Sequence, residues 1–140
     1  MRILVALDGG EASRKAVDYI VQHAALFRAA QLACLYVDPS PPLRAVGALG
    51  ADPGMPASTP GDPLDVIEPV IEPLKAAGYA VDLEVREGEP APEIAQVAAD
   101  GGFDLIVLGA GVRGLLRRKL LGSVANKLLK LSRTPMLIVR

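Results

Sequence analysis

Asp8-Gly9-Gly10 follows one run of apolar residues, and Gly109-Ala110-Gly111-Val112-Arg113-Gly114 follows another, with Gly122-Ser123 a little further on. Glycines let the main chain approach a phosphate without a Cβ in the way. A helix beginning just after them adds unpaired N–H donors and the positive end of its dipole. Ser123 stands where it would N-cap a helix over 124–131, or its hydroxyl could bind the phosphate instead. Arg113, Arg117, Arg118 and Lys119 lie between the two glycine pieces and could add charge-assisted bonds. The chemistry suggested is phosphate binding, although a tight strand-to-helix turn with an ordinary cap uses the same residues. Asp8 also has two readings. With Glu11 three positions on it has the form of a capping box; alternatively its carboxylate accepts from a ribose hydroxyl or contacts a metal ion through water.

Other chemistries find little support. Residues 109–114 spell G-x-G-x-x-G, but a dinucleotide site needs that pattern after the first strand and an acid ~20 residues on. Here the last acid of the chain is Asp104. No G-x-x-x-x-G-K-[ST] loop and no G-x-S-x-G elbow occurs. The one histidine, His23, falls in a helical pattern and reads as a packed or surface residue, so no Ser-His-Asp triad is arguable. The one cysteine, Cys34, falls mid-strand and reads as buried and inert; with one His and one Cys the usual four-ligand zinc site is excluded. An enzyme acting at the basic turn would have only Asp8 or Asp38 as its acid or base.

The 140 residues suit one domain, residues 1–140, with a core that needs no disulfide. Hydrophobic residues make up 51% and charged residues 22%, which excludes wholesale disorder. No apolar run approaches the ~20 residues of a membrane span. The short apolar start lacks the length of a signal peptide, so a cytoplasmic protein with no membrane partner is expected. Net charge is −1, yet residues 105–140 carry eight basic residues and no acid, which suggests an anionic partner at that end or a solvated helix face. Aromatic residues are only 4%, with none near the basic stretch, so stacking platforms are missing and no nucleic-acid partner is expected.

The elements that must position these residues follow from periodicity. Runs at 3–7, 32–37 and 136–139 are apolar throughout, and the run at 104–108 is apolar after Asp104, as in strands buried on both faces. Val81, Leu83 and Val85 alternate, which predicts a half-exposed edge strand over 80–86. Val17, Ile20, Val21 and Ala24 share one helical face; Ile94, Val97 and Ala98 share another; Val124, Leu128 and Leu131 a third. A helix over 64–77 contains Pro69 and Pro73 and is expected to kink near Pro69 or to begin there. Residues 39–63 hold seven of the twelve prolines and read as a long loop. The order β-α-β-α-β-α-β-α-β predicts an α/β fold whose open sheet is mostly parallel, with helices on both faces. Ligands of such sheets sit outside the carboxyl ends of the strands, where strand order reverses.

The chain resembles the universal stress protein (UspA-like) family along essentially its whole length. The resemblance is carried by Ile3-Leu4-Val5-Ala6-Leu7-Asp8-Gly9, by Gly88-Glu89-Pro90 with Glu93-Ile94, by Asp104-Leu105-Ile106-Val107-Leu108-Gly109, by Leu120-Leu121-Gly122-Ser123-Val124 and by Pro135-Met136-Leu137-Ile138-Val139. It implies a Rossmann-like, five-stranded parallel sheet in the order 3-2-1-4-5. It also implies a homodimer paired through the C-terminal strand, Met136 to Val139, and an adenine-nucleotide (ATP or AMP)-binding regulatory role in the stress response. Mg is implied only with bound nucleotide, and hydrolysis would be slow at most.

Many members bind ATP through G-x2-G-x9-G-[S/T]. Here Gly109 and Gly122-Ser123 match, but the second glycine falls on Val112, with Gly111 one place early. A β-branched side chain is bulky and stiff where close phosphate approach is needed. AMP or ADP is therefore expected to be held more easily than ATP. The alternative is a dimeric interaction protein of the same fold that binds no nucleotide. The nucleotide-binding residues that the resemblance implies are Ala6, Asp8, Val37, Gly109, Gly111, Val112, Arg113, Gly122, Ser123 and Val124, with Val37 beside adenine and Asp8 beside ribose; no catalytic residue is implied.

Overall fold

The computed structural model describes residues 1–38, 62–110 and 122–140. The elements are β1 (Arg2–Leu7), α1 (Glu11–Gln22), α2 (Ala24–Phe27), β2 (Gln31–Asp38), α3 (Pro63–Ala76), β3 (Val81–Glu87), α4 (Pro90–Asp100), β4 (Leu105–Gly109), α5 (Ser123–Leu131) and β5 (Met136–Val139). The strands form one parallel sheet in the order β3-β2-β1-β4-β5. Most of the stretch 39–63 lies outside the described residues. Its last two residues begin a helix instead: Asp62 caps α3 by accepting from the Leu64 N–H at 3.0 Å, and Pro63 takes the first helical position, where its missing N–H costs nothing.

The period of two along each strand sends alternate side chains to opposite faces. Ile3, Val5 and Leu7 of β1, with Leu32 and Cys34 of β2, meet Ala16, Val17 and Ile20 of α1 and Ile67, Val70, Ile71 and Leu74 of α3. Leu4, Ala6, Leu35, Ile106 and Leu108 meet Ile94, Val97 and Ala98 of α4 and Ala125 and Leu128 of α5 on the other side. The central strands are buried on both faces, which is why they read as unbroken apolar runs. β3 lies at an edge, as its alternation predicts.

Several local expectations are corrected. The helical pattern through Ala24 breaks at His23, where a separate turn, α2, begins; the imidazole stacks on Tyr19 with ring centroids 4.0 Å apart. α3 begins six residues before Pro69 and carries both prolines inside it. Pro69 and Pro73 lie on the exposed side, so water can satisfy the carbonyls of Asp65 and Pro69 that lose their helical donors. Leu131 is 54% exposed; the buried stripe of α5 consists of Ala125 and Leu128.

Cys34 is buried in the sheet, and burial pushes its thiol up to about 12, a result that the nearby charge of Lys75 only moderates. The folded state therefore holds this proton more tightly than the unfolded chain, whose thiol titrates near 9.0. The stabilisation is complete below the unfolded value and is lost as pH climbs from about 9 towards 12. Chemical denaturation at stepped pH should show a steeper alkaline loss of stability for the native sequence than for Cys34→Ala.

At the amino-terminal rim of the sheet, Arg2 fastens β1 to the turn before β4. Its N–H donates to Asp104 Oδ2 at 2.8 Å, its guanidinium bonds the Gly101 carbonyl, and its Cζ lies 4.7 Å from the Phe103 ring centroid.

Candidate functional site

β1 and β4 are neighbours, yet β1 continues towards β2 on one side while β4 continues towards β5 on the other. Strand order reverses between them, and a cleft of about 380 Å³ opens at their carboxyl ends. Its volume lies in the range of small-molecule sites. Ala6, Asp8, Val37, Gly109, Gly122, Ser123 and Val124 all line it, so seven of the ten residues singled out from the sequence converge there. Gly111, Val112 and Arg113 lie outside the described residues.

The turn after β1 is built differently from a capping box. Gly9 takes φ +79°, a conformation that L side chains rarely adopt, and this swings the chain so that Gly10 becomes the N-cap of α1. Asp8 is then two residues too early to cap. Its Oδ1 accepts instead from the Gly10 N–H at 2.8 Å and from the Ser13 hydroxyl at 2.6 Å. The Ser13 oxygen in turn accepts from the Asp8 N–H at 2.6 Å. Glu11, the other half of the supposed box, pairs with Lys15 at 3.4 Å on the exposed side.

Gly109 closes β4 directly beneath the first turn of α1. A Cβ there would stand 1.8 Å from the carbonyl oxygen of Ala12. The first glycine of the motif is thus required by helix–strand packing, independently of any phosphate.

At the far side of the cleft Gly122, not Ser123, is the N-cap of α5. A glycine has no side chain with which to cap, and Ser123 is the exposed first residue of the helix. The hydroxyl expected to serve as the cap is therefore not spent on it. The remaining wall is apolar: Val37 at the end of β2, Pro90 and Ile94 from α4, and Leu108. Lys127 of α5 pairs with Glu89, the N-cap of α4, at 2.6 Å, so this part of the basic C-terminal stretch is neutralised.

Sequence reasoning missed Ser13, Pro90 and Ile94 at the cleft. The available signal for Ser13 was a hydroxyl five places after Asp8, in the first turn of the helix that follows. No group of three or more His, Cys, Asp or Glu able to hold a metal occurs among the described residues.

The universal stress protein family model matches residues 1–140. The chain belongs to the universal stress protein family. The universal stress protein YxiE of Bacillus subtilis (strain 168) is 33% identical, over 99% of this chain and 98% of its own. The structure of MJ0577 from Methanocaldococcus jannaschii superposes with a TM-score of 0.75 at 24% identity, over 99% of this chain and 94% of its own. A universal stress protein solved in complex with cAMP superposes with a TM-score of 0.67 at 25% identity, over 100% of this chain and 96% of its own. No helix among the described residues of this universal stress protein is long and apolar enough to cross a membrane.

Proposed function

We propose that this chain is an adenine-nucleotide-binding regulatory module acting in the stress response. The observation that carries the reading is the convergence in one cleft of a carboxylate from the end of β1, an apolar shelf from β2 and α4, and the amino terminus of α5. The shelf of Val37, Pro90 and Ile94 suits a flat base. Asp8 suits the ribose hydroxyls. The N–H groups of the first turn of α5, with the Ser123 hydroxyl, suit the phosphates, and Gly111 and Arg113 are of residue types that would add to them. The cAMP complex of a relative supports a ligand of this class.

Mg²⁺ would enter with the phosphates. Mg²⁺ commonly keeps several waters and binds through phosphate oxygens, so it need not take the Asp8 carboxylate from the ribose. In this reading the module works as a binding switch, with ATP hydrolysis slow at most. We further infer a cytoplasmic homodimer paired through Met136–Val139, because β5 is the outer strand of the sheet and its far edge pairs with no strand among the described residues.

Val112 favours a second reading, a dimeric interaction protein that binds no nucleotide. Calorimetric titration with AMP, ADP, ATP and cAMP separates the two. Saturable binding of AMP or ADP with Kd below about 1 mM is expected, a free energy near −4 kcal/mol or better. Absence of saturable binding in the native protein, with binding created by Val112→Gly, would establish the second reading.

A further inference from the structure

Glu89 and Lys127 join α4 to α5, the two helices that bring Pro90 and Ser123 to the cleft. Lys127 Nζ donates to Glu89 Oε1 at 2.6 Å, and both side chains remain more than half exposed. Neither residue lines the cleft, yet each stands close to one that does. Glu89 is the N-cap of α4 and immediately precedes Pro90, while Lys127 follows Ser123 by four residues. Residues four apart share a helix face, and helical side chains lean towards the amino terminus. The Lys127 ammonium is therefore carried back towards the turn of Gly122 and Ser123. That turn is about 6 Å away along the axis, within the sweep of a four-carbon stem. Glu89 makes no side-chain hydrogen bond to its own helix, so its carboxylate is not spent as a cap. An ion pair this exposed is worth a factor of about five at most in an equilibrium, so a stronger partner can take the lysine away.

We propose that Glu89 competes with the ligand's phosphates for Lys127, and that this competition makes the site favour adenine nucleotides of low phosphate charge. The inference rests on the nucleotide-binding reading above and adds to it the residue pair that grades ligands by charge. A phosphate at the first turn of α5 offers Lys127 a charge-assisted bond and draws the ammonium towards it. Glu89 is then left as an unpaired carboxylate close to an anion. Each further phosphate adds negative charge to that opposition, so the triphosphate is penalised most and the monophosphate least. The penalty comes from the starts of α4 and α5 and does not depend on the residue at position 112.

The test is calorimetric titration of adenosine, AMP, ADP and ATP into four proteins: native, Glu89→Gln, Lys127→Met, and the double variant. Glu89→Gln should tighten AMP about threefold and ATP about tenfold, with ADP between them, and leave adenosine within about twofold. Lys127→Met should weaken the three nucleotides in the same order of size and again spare adenosine. In the Lys127→Met background, Glu89→Gln should move ATP affinity by less than about twofold, because the carboxylate acts through the lysine. A pair that merely fastens α4 to α5 would weaken adenosine and the nucleotides alike in both single variants, and that result overturns the proposal. A gain from Glu89→Gln that keeps its full size without Lys127 overturns it too, since the carboxylate would then act on the phosphates directly. If neither the native protein nor Glu89→Gln binds any of the four ligands, the reading of the cleft falls and the proposal with it. If they bind but the variants do not separate them by charge, the proposal alone falls.

Discussion

Gly109→Ala should lower the unfolding free energy by more than about 3 kcal/mol, beyond the usual cost of overpacking, because the clash is with backbone. The added methyl carbon would lie 1.8 Å from the Ala12 carbonyl oxygen and 2.8 Å from the Ala12 Cα. Neither atom can rotate away as a side chain does; α1 must lift from β4, and Ala16 and Val17, which are fully or almost fully buried in the core on that face, must lift with it. With stability of roughly 5–15 kcal/mol expected for a chain of this kind, the loss is a large fraction of the whole. Thermal melting should fall by roughly 10 °C or more. A change of only a degree or two would show that α1 does not press on β4 at that point. The same variant also warns against reading motif glycines through ligand binding alone, since nucleotide affinity would fall with the fold.

The second large effect belongs to α5. This helix has nine residues and only two buried side chains, Ala125 and Leu128. Leu128 is fully buried against the face shared with α4. Leu128→Ala should therefore cost about 2–5 kcal/mol, the range for emptying a buried leucine site. It should also loosen the helix whose amino terminus carries Gly122 and Ser123 into the cleft, so AMP affinity should drop in the variant even under conditions where it remains folded. Leu131→Ala, at a 54% exposed position, provides the contrast: its melting curve should stay within about 0.5 kcal/mol of the native one. Equal losses for the two leucines would mean that α5 packs through a different face.

The architecture was legible because the central strands are buried on both faces and leave an unmistakable pattern of apolar runs separated by amphipathic helices. Strand order followed from the family resemblance, and it brought Asp8 and Ser123 to the same cleft, as the structure places them. What escaped was decided by backbone geometry that the residue types alone do not fix. Asp8 and Glu11 have capping-box spacing, but the left-handed Gly9 moves the start of α1 to Gly10, and the partner of Asp8 becomes Ser13. Ser123 follows the best cap position by one residue, because Gly122 fills it. Leu131 keeps helical spacing with Leu128, yet it lies at the last residue of α5, where the buried stripe has already turned away. Pro69 argued for a helix start, but a better start, Asp62-Pro63, lies six residues earlier.

Arg2 sits at the other end of the strand that delivers Asp8, roughly 17 Å away along β1. Its grip on Asp104, Gly101 and Phe103 pins the point where β1 and β4 first run side by side. The pairing that starts there runs in register from Ile3 and Leu105 to Ala6 and Leu108, so the clamp at the base fixes the alignment that the two strands keep up to the rim of the cleft.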